Sequence, residues 1–262
     1  MCLLIFAHRT SNQYPLLIAA NRDEFHQRPT AASAFWPHYP DLLAGRDELS
    51  GGTWMGVTRN GRFAAVTNYR DPSATYDAPR SRGELPLAYL TGEEHPQAYL
   101  EAVSQRAGEY AGFNLLVGRG DELWYINNYS KGKGHTPAEP RALAPGIYGL
   151  SNAQLDTPWP KVSTGKQQLR EMSGDDASVS HDALLELVSS TELASVDALN
   201  ALGMGTTMER LLSAQFIRSE TYGTRSSTTL WRDGEGNTSW RELSFDAQGV
   251  ISDRRQEDFR TP

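Results

Sequence analysis

The chain has one cysteine in 262 residues, Cys2, so no disulfide can form within it and a cross-linked scaffold is excluded. A basic excess is also missing. The formal net charge of -7 argues against a nucleic-acid partner, which calls for a basic face. Six histidines, at 8, 26, 38, 95, 135 and 181, fall without metal-ligand spacing, so no structural zinc site is expected. Long apolar runs are absent too. Residues 3–7 make about half of a signal-peptide core with no basic residue before them, and nothing approaches the ~18–20 apolar residues of a membrane span. Cys2 stands where N-myristoylation needs glycine. No Pro/Gly linker halves the chain, and no repeat of ~20–50 residues is visible. The expectation is a soluble cytoplasmic protein forming one domain over residues 1–262, with 39% hydrophobic residues to fill its core.

What is present is a series of short apolar stretches punctuated by turn residues. Residues 3–7 and 16–20 flank the polar "HRTSNQYP" and read as a first hairpin. Asn60-Gly61, between residues 54–58 and 62–68, gives a stronger hairpin signal. Helical spacing marks residues 82–90 and 95–110, where Tyr99, Val103 and Ala107 recur every fourth position. "FNLLVGRGDELWYINN" reads as a hairpin turning at 119–121, residues 129–145 as a long loop, and "GIYGLSN" as a strand ending at Asn152. Further helices are expected in "TPWPKVSTGKQQLREM", capped by Thr157 or Ser163, and over residues 181–190 and 208–215. A last hairpin joins 222–232 to 238–245, and the charged tail 252–262 reads as frayed. Single strands seldom alternate with helices, which disfavours a doubly wound parallel sheet. The order fits an α+β chain of two largely antiparallel sheets with helices outside.

Position, more than composition, singles out Cys2. A free cysteine is ordinarily a small buried hydrophobe. Directly behind Met1, however, it becomes the first residue once the methionine is removed, and its thiol then has an α-amine of its own to act as base. If the first hairpin turns near residues 11–13, paired positions sum to about 23–25 and Cys2 faces Asn21, Arg22 or Asp23. An aspartate there could orient the amine, and the Arg22 guanidinium could favour the thiolate. Taken alone, "NRDE" also fits a solvated junction between strand and loop.

"AANRDEFHQRPT" resembles the signature of the NRDE family, the transport-and-Golgi-organisation proteins. "MCLLIF", "GGTWMGV", "VTNYR", "GLSNAQLDTPWPKV" and "YGTRSSTTL" resemble it too, so the likeness runs from Cys2 to Leu230. That family in turn resembles the cysteine N-terminal-nucleophile hydrolases of the penicillin and bile-salt acylase type. The resemblance implies a four-layer αββα sandwich. It also implies roles. Cys2 matches the nucleophile, Asp23 the holder of the α-amine, Asn152 the oxyanion-hole amide, Asn68 the asparagine after a hairpin strand, and Arg225 a late-strand arginine beside the thiol. Arg22 stands near the first-hairpin arginine of that pattern. The acylases set theirs before an intervening residue or two, whereas here Arg22 directly precedes Asp23.

Each match has a local physical case and a plainer alternative. The Asn152 amide can donate to a developing oxyanion, or it can simply end a strand before Pro158 and Pro160. In a regular strand Arg225, Ser227 and Thr229 share one face, which lies either in a polar site or in water. "GGTWMG" is no phosphate loop, because no "GK[ST]" follows; its glycines suit a tight turn or a close backbone approach. Trp36, Tyr39 and Trp54 either line an apolar pocket or belong to the core. The expected activity is hydrolysis of an amide or ester through an acyl-thioester on Cys2, needing no metal or organic cofactor. The alternative is a non-catalytic carrier of haem, a lipid or an acyl ligand on the same fold. The partner is thus a small acyl substrate or a hydrophobic ligand.

Overall fold

The computed structural model describes residues 2–70, 78–130, 133–136, 138–172, 179–202 and 206–261. Met1, whose removal the expected chemistry requires, lies outside them, as do parts of the 129–145 stretch. Strands β1 (Cys2–His8) and β2 (Leu16–Phe25) form the first hairpin, in the register Cys2↔Arg22, Leu4↔Ala20 and Phe6↔Ile18. Next comes a pair that no pattern in the sequence announces, β3 (Thr30–Trp36) and β4 (Tyr39–Asp47), because Pro37 and Pro40 interrupt the strand signal. Strands β5 (Met55–Thr58) and β6 (Arg62–Asn68) turn at Asn60-Gly61 as expected.

Helices α1 (Glu84–Thr91) and α2 (Pro96–Gln105) follow, and a short 3₁₀ turn over Ala107–Glu109 ends the second helical stretch early. The hairpin of β7 (Phe113–Arg119) and β8 (Glu122–Asn127) turns where its sequence says. The expected long loop is partly paired: β9 (Tyr129–Ser130) joins β10 (Gly134–His135), and β11 (Arg141–Ala142) extends β8. Strand β12 (Gly146–Leu150) stops two residues short of Asn152. Helix α3 (Pro160–Met172) opens on a proline, and neither expected cap serves: Thr157 donates its hydroxyl to the Gln154 carbonyl, and Ser163 lies inside the helix. Three short helices, α4 (His181–Glu186), α5 (Val196–Ala201) and α6 (Thr207–Leu211), are capped by Ser180, Ser195 and Thr206. The chain closes through β13 (Tyr222–Arg232), β14 (Asn237–Phe245) and β15 (Ile251–Arg260).

The charged tail is therefore not frayed. Residues 251–260 pair with β14 along its length, and Thr261 donates its backbone N–H to Gly236. Backbone pairing does not require apolar side chains, and the arginines and acids of β15 guard an edge that would otherwise invite another strand.

Among the described residues the strands make a six-stranded sheet, β12-β1-β2-β13-β14-β15, and a seven-stranded sheet, β11-β8-β7-β6-β5-β4-β3, both antiparallel. Three apolar clusters separate four layers. Leu4, Phe6 and Ile18 meet Val57, Phe63 and Leu116 between the sheets. Leu3, Ile5 and Leu17 pack under Val162 and Leu169 of α3, while Leu115 and Val117 pack under Leu85 and Leu100 of α1 and α2. The fold is the αββα sandwich. Strand β1 is buried on both faces, which is why "LLIFA" reads as an unbroken apolar run.

Candidate active site

Strand alternation sends Cys2 and Arg22 toward the space between the sheets, while Asn21 and Asp23 face the helical layer. Cys2 and Arg22 open onto a cleft of about 360 Å³, whose walls also include Asp23, Trp54, Asn68 and the 78–83 segment. That segment is held close because Gly83 accepts from the Thr53 backbone N–H, and a Cβ on Gly52 would fall 2.5 Å from the Gly83 backbone. The close approach expected of "GGTWMG" is realised there. Arg22 is buried. Its guanidinium lies 4.3 Å from the centroid of the Trp54 ring, donates to Thr30 Oγ1 at 3.0 Å and sits 3.9 Å from Asp47.

Burial pushes the Cys2 thiol up from its ordinary value; Asp23 adds to the rise and Arg22 opposes it. Arg22 favours the thiolate as expected, but the net shift is upward. Desolvation at the end of a fully buried strand outweighs one guanidinium that is itself occupied elsewhere. Asp23 is 1% exposed, accepts from Thr224 Oγ1 at 2.7 Å, and has its backbone carbonyl held by the Tyr222 hydroxyl. Burial pushes its carboxyl up as well, and the charge that opposes this most is Lys161.

Asn152 is completely buried, and its Nδ2 donates to the Asn68 carbonyl at 2.9 Å. Ser151 Oγ lies 3.1 Å from the Cys2 carbonyl and 3.2 Å from Asn152 Oδ1, so one hydroxyl ties strand β1 to the asparagine. Thr67 and Asn114 pin the same turn by bonds to Ser151 and Ala153, and Tyr125 donates to Asn114 at 2.6 Å. Cys2, Arg22, Asp23 and Asn68 therefore share the cleft, with Asn152 directly behind Asn68.

Arg225 does not reach it. A β-bulge between Thr224 and Ser226 makes it the extra residue of β13, and its Nη1 donates to the Phe25 and Arg28 carbonyls at 2.9 and 3.1 Å. The shared face expected for Arg225, Ser227 and Thr229 is broken by that bulge. Ser227 and Thr229 instead meet Asn21 and His181 under the helices. Trp36 is likewise elsewhere, in the core beneath α1 with its indole N–H on the Ala44 carbonyl, and Tyr39 is exposed. Of the three aromatics only Trp54 lines the cleft. Ser151, Thr224 and Lys161 were not singled out in the sequence. The first and last sit inside "GLSNAQLDTPWPKV" and the second inside "YGTRSSTTL", so the motifs flagged the segments but not these side chains.

Beside the cleft runs a more apolar groove of about 470 Å³, which shares Glu24, Asn68 and Arg82 with it and is lined by Phe25, Tyr69 and Leu212. Among the described residues no three His, Cys, Asp or Glu side chains converge on a metal position, and no helix is long and apolar enough to cross a membrane.

A family model, Transport and Golgi organisation 2, matches residues 1–247. The chain belongs to this family. It is 37% identical over 264 residues to the Transport and Golgi organization protein 2 homolog of Bos taurus, covering 94% of this chain and 93% of that one. The Homo sapiens homolog is 35% identical with the same coverage. Two solved structures are similar in fold. One is an N-acylethanolamine-hydrolyzing acid amidase ortholog from Caenorhabditis elegans, with TM-score 0.53 and 12% identity, covering 87% of this chain and 92% of that one. The other is a mutant conjugated bile acid hydrolase from Clostridium perfringens, with TM-score 0.53 and 8% identity, covering 98% and 92%. The chain thus shares its sandwich fold with these two hydrolases.

Proposed function

We propose that this member of the family is an acyl hydrolase whose nucleophile is the N-terminal Cys2 exposed by loss of Met1. The observation that carries the reading is the meeting of Cys2, Asp23 and Asn68 around one cleft, backed by Asn152 and adjoined by an apolar groove. A thiol whose pKa is raised by burial needs a base, and the α-amine of the same residue is within its reach. The amine takes the thiol proton as Sγ bonds to the substrate carbonyl carbon. Asn152 commits one N–H to the Asn68 carbonyl, and its other N–H, with the Asn68 amide, serves the oxyanion. The ammonium returns its proton to the departing amine or alkoxide. Water then adds to the acyl-thioester, the thiol is regenerated and the carboxylic acid leaves. Asp23 orients the amine, and the groove takes an apolar acyl chain.

A second reading keeps the groove and omits turnover. Its mostly apolar lining favours a lipid, haem or acyl ligand held without reaction, in keeping with the transport named in the family. Intact-mass profiling against ester, thioester and amide probes separates the two. The hydrolase reading expects an acyl adduct on wild type that is absent from Cys2→Ala, and a mature chain beginning at Cys2. A mature chain that begins at Cys2 yet gains no adduct from any probe, while still taking up ligand, would leave the carrier.

A further inference from the structure

Lys161 occupies the first turn of α3, where Pro160 opens the helix, and it is 3% exposed. Two costs attend a lysine there. A cation meets the positive end of the helix dipole, and it is taken out of water. Its Nζ is buried with no hydrogen-bond partner among the described residues, so no carbonyl or hydroxyl accounts for its position. Its backbone is tied toward one strand. The Lys161 carbonyl accepts from the Gln215 side chain at 3.4 Å, and the Gln215 carbonyl accepts from Asn21 Nδ2 at 2.8 Å. Asn21 precedes Asp23 by two residues, on the same face of β2.

We propose that Lys161 is an electrostatic positioning residue for the nucleophile, its ammonium offsetting the buried Asp23 carboxylate so that Cys2 can give up its proton. This rests on reading Cys2 as the nucleophile. The acylase pattern supplies no lysine for this task among the residues it matches here; the cation comes from the family's own "TPWPKV" segment.

The charges around the group come from several elements. Burial pushes Lys161 below its ordinary value, Asp23 on β2 and Cys2 on β1 favour its charged form, and Arg70 beyond β6 opposes it. For Asp23, burial is opposed first by Lys161, and also by the Thr224 hydroxyl and Arg22. For Cys2, burial is opposed by Arg22, while Asp23 and Glu24 reinforce it. Without Lys161, the Asp23 carboxylate loses the largest charge that offsets it and draws the proton back onto the thiol and amine. Removing the cation therefore moves the first deprotonation of that pair to higher pH, whichever of the two groups yields the proton.

The test is alkylation of Cys2 by iodoacetamide in the full chain, followed by intact mass between about pH 6 and pH 10. Lys161→Met is expected to move the midpoint up by about half a unit or more, an about threefold slower reaction below the midpoint. Lys161→Arg, which keeps the charge, restores the wild-type profile. Lys166→Met, which removes the lysine paired with Asp156 on the same helix, leaves it unmoved. A folded Lys161→Met protein with an unmoved midpoint overturns the proposal. Should that variant not fold, Asp23→Asn is compared with Asp23→Asn/Lys161→Met, a neutral pair in place of a charged one. With the carboxylate gone the lysine has nothing left to offset, so these two midpoints are expected to coincide, and an upward shift of about half a unit or more in the double variant overturns the proposal. The profile reads the thiol and needs no substrate, so failure here is distinct from failure of acyl transfer to wild-type Cys2.

Discussion

Cys2 and Arg22 stand opposite each other across the β1–β2 ladder, and Arg22 is held there by the face of Trp54. The guanidinium is thus a fixed wall of the cleft. Its three tethers, to Trp54, Thr30 and Asp47, belong to the seven-stranded sheet or the turns beside it, so the nucleophile's setting depends on both sheets keeping their distance.

Gly45→Ala tests that dependence. A Cβ at Gly45 would lie 2.2 Å from Trp54 Cη2 and 2.4 Å from Cζ2, so the indole must move and Arg22 loses its support. The expected outcome is a destabilisation of about 1–3 kcal/mol, with an altered Trp fluorescence and a fall in acyl transfer at Cys2. An unchanged melt and unchanged acylation would mean that Trp54 does not fix the cleft.

Asn152→Ala separates an oxyanion role from a turn role. The half-buried Asn68 carbonyl loses its donor, so a loss of about 1–2 kcal/mol is expected from structure alone. An oxyanion role adds a fall of ~10²-fold or more in the acylation rate of the folded fraction. A variant that melts early yet acylates at the wild-type rate per folded molecule would assign Asn152 to the turn.

The legible parts of the sequence were those where local pattern and fold agree. Asn60-Gly61 and the apolar runs at residues 3–7 and 16–20 named their hairpins, and the register sum reached Arg22 opposite Cys2. What escaped was fixed by distant partners. The strand pair β3 and β4 hides behind Pro37 and Pro40, and β15 has no apolar alternation because its side chains face water. The bulge that turns Arg225 away leaves no mark in "GTRSST". Lys161 was not singled out, because nothing in its segment shows that it is buried at the start of α3.

The tail makes a prediction of its own. Ending the chain at residue 250 removes the β14–β15 ladder and the edge contact of Phe259 with Phe35, whose centroids are 5.9 Å apart. It also bares the edge of β14. The expected result is a lower melting temperature and concentration-dependent aggregation by light scattering. A truncated chain that melts like the full one and scatters no more light would restore the view of the tail as frayed.

His181 gives the fold a pH dependence that can be signed in advance. The ring is 6% exposed, with Nδ1 2.7 Å from Thr229 Oγ1 and Nε2 2.8 Å from Ser239 Oγ, both hydroxyls of the six-stranded sheet. Burial, helped by Arg241, lowers it from 6.5 to about 4, against the weaker pull of Asp258 and Asp182. Between those values the unfolded chain binds a proton that the folded one refuses. Stability from this group is therefore complete above pH 6.5 and is lost as the pH falls toward 4, by about 3 kcal/mol in total. The buried carboxyls Asp23 and Glu242 are pushed up and so act in the opposite sense, which masks the slope in wild type alone. Comparison with His181→Gln removes that masking. At pH 7 the variant is less stable, having lost a ring that meets two hydroxyls at once; on acidification the gap closes. Urea unfolding midpoints measured for both proteins from about pH 7 to pH 4.5 give the difference directly. A gap that stays constant across that range would mean that the ring titrates at the same pH in the folded and unfolded chains, and a gap that widens would mean that the folded protein holds an imidazolium donating to both hydroxyls.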